Sequence, residues 1–302
     1  MVKRAIDYLK VHGVRRTAGR AFRLLVPKRS AAWPRVREAL RGRRGLEVGG
    51  PTLIFTSRQL LPVYDVVGSL DNVNYADRTV WTDPGTAGGG EPGGAFAFGG
   101  RSGRQFVSEA TDLSALPDAS YEMVAASHVI EHLANPLKGV GEWLRVLSPG
   151  GHLLLIVPHR DGTFDHRRPV TPISHLQSDL AAGTDESDLT HLDEILSLHD
   201  LSRDPGAGAL DAFRQRSLRN RENRCLHHHV FTTASVVELL DHLGLDVVAV
   251  DAQPPYHIVA LARKPLPGDR VDNARWLGAD AAFRRNSPFP SDRGRPEGAA
   301  TA

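Results

Sequence analysis

The chain has little of what marks a secreted, membrane-embedded or cysteine-ligated protein. Cys225 is its one cysteine in 302 residues, which excludes an intramolecular disulfide framework and fits a reducing compartment. No uninterrupted apolar run approaches the ~18 residues of a membrane-spanning helix, and the N-terminus has no apolar secretory core. A cytoplasmic location is therefore expected, peripheral to a membrane at most. Neither an HExxH helix nor a paired-cysteine spacing occurs, so no residue is assigned as a metal ligand. No aromatic platform interleaves the N-terminal basic residues, which disfavours nucleic acid as a partner. There is no internal repeat.

What is present supports a globular core. Apolar residues make up 41%, and the length suits one large α/β domain with additions. The net charge of +2 hides an asymmetry: residues 1–45 carry 14 Lys or Arg against Asp7 and Glu38 alone. Val2, Ile6, Leu9, Phe22 and Leu25 recur among them at roughly helical intervals. Residues 1–44 thus read as a basic helical arm. Such an arm is suited to packing on the acidic body as a solvated helix or to contact with an anionic membrane surface.

The densest signal lies at residues 121–158. Met123–Ala126 and Leu153–Val157 are apolar throughout, as strands covered on both faces must be. Between them Leu137, Val140, Leu144 and Leu147 recur at helical spacing, and Pro149, Gly150 and Gly151 stop the helix. This is one βαβ crossover of a parallel sheet. Ser127, His128, Glu131 and His132 fall at the carboxyl end of its first strand, the edge where open α/β sheets bind ligands. Upstream, Leu46-Glu47-Val48-Gly49-Gly50-Pro51-Thr52 reads as a strand running into a tight glycine turn. Residues 83–103 hold nine glycines and read as a flexible loop, since a phosphate-cradling loop needs a strand before it and a helix after it.

Together, the LEVGGP turn, the SHVIEHL segment and the Pro-Gly-Gly break resemble the class I S-adenosylmethionine-dependent methyltransferases, in the type 11-like branch. The resemblance covers residues 45–158 and extends more loosely to about residue 263. It implies a doubly wound, Rossmann-like α/β sheet of seven strands in the order 3-2-1-4-5-7-6. The bare pattern supports a doubly wound sheet only. The methyltransferase domain would span 45–264, with 159–231 as a helical polar insertion after the fifth strand. The tail, 265–302, is rich in Pro, Gly, Arg and Asp and is expected to be disordered.

The resemblance also implies a cofactor, S-adenosyl-L-methionine, and residues to hold it. Gly49 and Gly50 would carry its amino-acid end, with Glu47 helping to hold the ammonium; Pro51 and Leu53 stand where many relatives have glycine. Asp71 fits best the acid that bonds the ribose hydroxyls, about 20 residues on, with Asp65 and Asp77 as rivals. Asp112 would accept from the adenine amino group while Leu113 offers its backbone amide; the structural reading of Asp112 is a helix N-cap. Ser127 and His128 would face the methyl-bearing sulfonium. Glu131 and His132 read as first-turn helix residues.

The insertion is crowded with ionisable side chains and reads as a substrate cap, with helices over 173–182 and 189–199. Methyl transfer asks the protein mainly to align the acceptor and to remove a proton. A hydroxyl acceptor would use a histidine base, and the candidates are His128, His159 and His166. The expected activity is O-methylation of a small or glycan-like acceptor. The alternatives are a non-catalytic methyltransferase-like scaffold acting through the basic arm, and a metal-dependent hydrolase using the histidine-rich insertion. In the latter, His191 and Glu194 would share a helix face, and His166, His175 or one of His227–His229 would complete the shell.

Overall fold

A computed structural model describes residues 29–79 and 94–293. Most of the basic arm, residues 1–28, lies outside them. Its end is helix Trp33–Leu40, whose Val36 and Leu40 are fully buried against the sheet.

Eight strands form one sheet: β1 (Arg44–Val48), β2 (Ser69–Asn74), β3 (Ala95–Phe98), β4 (Arg101–Val107), β5 (Tyr121–Ser127), β6 (Leu147–Pro158), β7 (Asp246–Gln253) and β8 (His257–Arg263). Their order is β3-β4-β2-β1-β5-β6-β8-β7. Strands β4, β2, β1, β5 and β6 pair in parallel, and β8 runs antiparallel between β6 and β7. This is the expected seven-stranded order with one added edge strand, β3. Chain order reverses between β1 and β5, which opens a crevice at their carboxyl ends.

Central strands alternate into two cores. Leu153, Leu155 and Val157 of β6 join Trp143 and Val140 of helix Pro136–Val146 on one face. Leu154 and Ile156 face the other side, with Val36, Phe55 and Phe96. That double coverage is why β5 and β6 read as continuous apolar runs.

Two expectations fail. Part of the glycine-rich stretch is a hairpin: β3 and β4 turn at Gly99 and Gly100, both at positive φ. Phe96 and Phe98 point inward while Ala95 and Ala97 point out, a period-2 signal that the glycine count obscured. The tail is ordered to residue 293. Trp276 Nε1 donates to Val247 O at 2.7 Å. Asp292, wholly buried, accepts from Thr233 N (3.2 Å), Thr233 Oγ1 (2.7 Å) and Ser287 Oγ (2.6 Å). In the insertion, helices occupy Ile173–Ala182 and Leu192–Leu198, followed by Leu210–Leu218. Among the described residues no helix is long and apolar enough to cross a membrane.

Candidate active site

The turn after β1 is built around one glycine. Gly49 has φ +81°, and a Cβ there would come within 2.6 Å of Val129 Cγ2, so only glycine lets the turn pass this close. Its amide donates to Val73 O at 2.8 Å. The next carbonyl, Gly50 O, accepts from Asn72 Nδ2 (3.2 Å) and Asn74 Nδ2 (2.8 Å). Thr52 Oγ1 reaches Ser127 Oγ at 3.4 Å and so links this turn to the end of β5. The crevice between them is lined by Gly49, Thr52, Asn74, Ser108, Ser127 and His128, with apolar walls from Val73, Ala110 and Val129.

Glu47 lies beneath the turn and does not line the crevice. A Cβ on Gly50 would fall 2.3 Å from the Glu47 carboxyl carbon. The Glu47 oxygens accept from Tyr64 OH (2.8 and 3.1 Å) and Thr52 N (3.1 Å). Burial pushes this carboxyl up to about 8, against the smaller opposing pull of those hydrogen bonds. The ammonium-holding role that the resemblance implied has no exposed carboxylate to perform it here.

Asp71 is also displaced from the crevice. It pairs in register with Leu46, two residues short of the end of β1, and accepts from Arg104 N and Tyr121 OH, each at 2.9 Å. The residue that ends β2 at the crevice is Asn74. Asp112 lies outside too: its Oδ1 accepts from Ser114 N at 3.0 Å in a local turn, and no helix follows it, so the expected N-cap is not formed either. Leu113 is fully buried and its amide donates to Glu142 Oε2 at 2.9 Å, so it is not available to a base. The acid that follows β4 on the crevice wall is Glu109, ion-paired with Arg224 from the insertion. Asn74, Glu109 and Arg224 were thus missed. The missing signal for the first two was register: Asn74 ends β2 and Glu109 lies two residues beyond the end of β4, positions fixed by the pairing of these strands with β1 and β2.

Ser127 ends β5 and His128 follows it, and both line the crevice. His128 has φ +56°, rare for a residue with a Cβ. Its amide donates to Ile156 O at 2.8 Å. Its Nε2 is 3.0 Å from His257 Nδ1, and its Nδ1 is 3.5 Å from Glu131 Oε1. Burial and His128 hold His257 down at about 4. Glu131 is wholly buried, and neither of its oxygens accepts a hydrogen bond. Burial drives its carboxyl up, but the His128 and His132 rings outweigh that and leave it below the ordinary value. Glu131, His132 and His227 each present a donor atom within 4.8 Å of the others, a spacing that could hold a cation.

The other two candidate bases serve structure. His159 is fully buried, stacks on Phe289 with ring centroids 4.0 Å apart and faces Asp292 Oδ1 at 3.1 Å. His166 pairs with Asp200 at 2.9 Å and does not line the crevice. From the insertion, Glu186 and Arg224 reach the crevice; burial pushes Glu186 up to about 7.

Comparison with known proteins finds a methyltransferase domain family model matching residues 97–155. No curated protein matches. Among solved structures, a methyltransferase from Methanosarcina mazei is 17% identical, with 78% of this chain and 98% of that chain covered at a TM-score of 0.42. One from Aquifex aeolicus is 15% identical, with 78% and 90% covered at 0.40. A Burkholderia thailandensis 1,6-didemethyltoxoflavin-N1-methyltransferase is 14% identical, with 78% and 79% covered at 0.41. The family match spans β4, β5, helix Pro136–Val146 and most of β6, the elements that carry His128 to the switch-point crevice. Over these elements the chain is similar to a methyltransferase domain, and its sheet order is the one that the resemblance implied, with one edge strand added.

Proposed function

We propose that the chain methylates a hydroxyl of a small, polar, glycan-like acceptor, with His128 as the base. The observation that carries this is the position of His128: of the three candidate histidines it alone lines the crevice, across from Gly49.

The crevice fits the cofactor. Its floor is a turn that a Cβ at residue 49 would obstruct, and its apolar walls suit a nucleoside. Asn74 would face the ribose in place of a carboxylate, Ser108 and Glu109 would border the base, and Gly49 to Thr52 would hold the amino-acid end. When bound, S-adenosylmethionine supplies a methyl group already activated on a sulfonium. The chain orients the acceptor and takes up its proton. With its Nδ1 proton directed at Glu131, His128 has Nε2 as its basic atom, and the lone pair there is open to the acceptor when the His257 ring, 3.0 Å away, carries its own proton on its Nε2 and not on Nδ1. The proton leaves the acceptor oxygen for Nε2, and Glu131 stabilises the resulting imidazolium. Glu109, Glu186 and Arg224 at the rim suit an acceptor rich in hydroxyls. The scaffold and hydrolase alternatives are not favoured. Of the residues that the hydrolase reading offered, Glu194 is ion-paired with Arg168 and His166 with Asp200.

The test has two arms. Isothermal titration with S-adenosylhomocysteine should give binding in both wild type and His128→Ala; no binding at millimolar ligand sinks the reading. Turnover against a panel of sugar and small-molecule hydroxyls should fall about 10²–10⁴-fold in His128→Ala. A loss of less than threefold removes His128 as the base.

A further inference from the structure

Beyond the crevice, the insertion gathers three histidines from separate stretches. His175 is on helix Ile173–Ala182, His191 immediately precedes helix Leu192–Leu198, and His229 lies in the segment leading to helix Thr233–His242. One ring nitrogen of each falls within 4.8 Å of the other two. The Nε2 atoms of His175 and His191 are 3.1 Å apart. Asp179, one turn beyond His175, brings its Oδ2 to 3.4 Å from His175 Nε2 and 3.7 Å from His229 Nε2.

Hydrogen bonding does not account for this grouping. A proton shared by His175 and His191 satisfies that pair alone. Asp179 Oδ2 is buried and accepts no hydrogen bond, and although His229 Nε2 faces Ala134 O at 3.4 Å, its buried Nδ1 has no hydrogen-bond partner. Buried polar atoms left this way are costly and rare. A cation would pair with the carboxylate and with the imidazole nitrogens at once. In a tetrahedral zinc site with metal–nitrogen bonds of about 2.0–2.1 Å, neighbouring ligand atoms stand about 3.3 Å apart. The spacings here bracket that value.

We propose that His175, His191 and His229 bind a divalent transition metal of the zinc type, with the Asp179 carboxylate as the adjacent negative charge. Three imidazoles select against magnesium and calcium, which prefer oxygen shells. The ion joins three parts of the cap that are separate in sequence. The segment holding His229 is itself tied to the turn after β5, where His229 N donates to Glu131 O at 3.4 Å. The metal therefore fixes the cap over the crevice. The site is separate from Glu131, His132 and His227, and it does not depend on the proposed acceptor or base.

The full chain, purified without a histidine tag and stripped with chelator, is titrated with Zn²⁺ and, separately, with Co²⁺. Wild type should take up one more equivalent than His191→Ala, while Glu131→Gln keeps that equivalent. Co²⁺ at the site should give the intense visible bands of a tetrahedral ion. Chelator should lower the wild-type Tm by about 5 °C relative to protein held at a hundredfold excess over Kd and leave His191→Ala unmoved. Should His191→Ala fail to fold, the cobalt spectrum of wild type decides alone. Equal metal content in wild type and His191→Ala, loss of the equivalent in Glu131→Gln, or an octahedral cobalt spectrum overturns the proposal.

Discussion

Replacing Glu47 by glutamine separates two roles that the same carboxyl could play. If it sits beneath the Gly50–Thr52 turn, it is a buried acid whose proton the fold retains. Its pKa is raised from 4.5 to about 8, chiefly by burial. A raised carboxyl is protonated in the folded chain and ionised in the unfolded one across that interval, so the unfolded state binds fewer protons and stability falls as pH rises. At 1.36 kcal/mol per pH unit the full window is worth about 5 kcal/mol. About 2 kcal/mol of that falls between pH 6 and pH 8. Glu47→Gln, neutral at every pH, removes this slope.

Thermal unfolding of both proteins at pH 6, 7 and 8 is the assay. The Tm of Glu47→Gln minus that of wild type should grow by about 5 °C from pH 6 to pH 8; the difference cancels every other titrating group. Cofactor affinity should stay within about threefold, because both oxygens are engaged by Tyr64 and Thr52. Parallel Tm curves would refute the buried, protonated state. A hundredfold loss of S-adenosylmethionine affinity would show that the carboxylate reaches the ligand after all.

Other substitutions probe the remaining supports. Asp292→Ala should cost about 3–5 kcal/mol in urea unfolding, since it strips the buried His159 and Thr233 of their partner; a loss below about 1 kcal/mol would mean the tail does not dock. The Asp292 carboxyl is held below its ordinary value: burial works against this, but His159, Ser287 and Thr233 outweigh it. Its contribution is therefore present above the unfolded pKa of 3.8 and lost as pH falls through the lower folded value. Gly49→Ala should cost about 2–4 kcal/mol from the left-handed backbone and the Val129 contact together and should weaken cofactor binding by calorimetry; a stable, tightly binding variant would contradict the turn.

Local signals carried the fold a long way. Helix Ile173–Ala182 is bounded by Pro172 and Gly183, so it was legible to the residue. Gly49, Ser127 and His128 were legible because a βαβ unit fixes which strand ends meet at the switch point. Asp71 and Asp112 failed for the opposite reason. Counting residues from a glycine turn locates a stretch of chain, whereas register decides which residue of a strand reaches the edge, and Asn74 is three positions beyond Asp71. His159 failed because its partner is Asp292, which no local pattern could supply. That contact also turns an apparently disordered tail into part of the core.

The strained backbone at His128 offers a sharper argument for catalysis than the crevice itself. Gly49 and His128 end neighbouring strands, and both have positive φ, but His128 has a Cβ. A left-handed residue with a side chain costs about 1–2 kcal/mol that glycine would not. A scaffold gains nothing from that cost, whereas an enzyme gains an imidazole aimed across the switch point. The paired variants His128→Gly and His128→Ala isolate the strain, because both remove the ring and its contacts with His257 and Glu131. Against the usual preference for alanine, His128→Gly should be the more stable by about 1 kcal/mol in urea unfolding, and both should be equally inactive. If His128→Ala proves the more stable, the backbone there is relaxed and the ring's position costs the fold nothing. If both keep turnover, the strain serves something other than proton transfer.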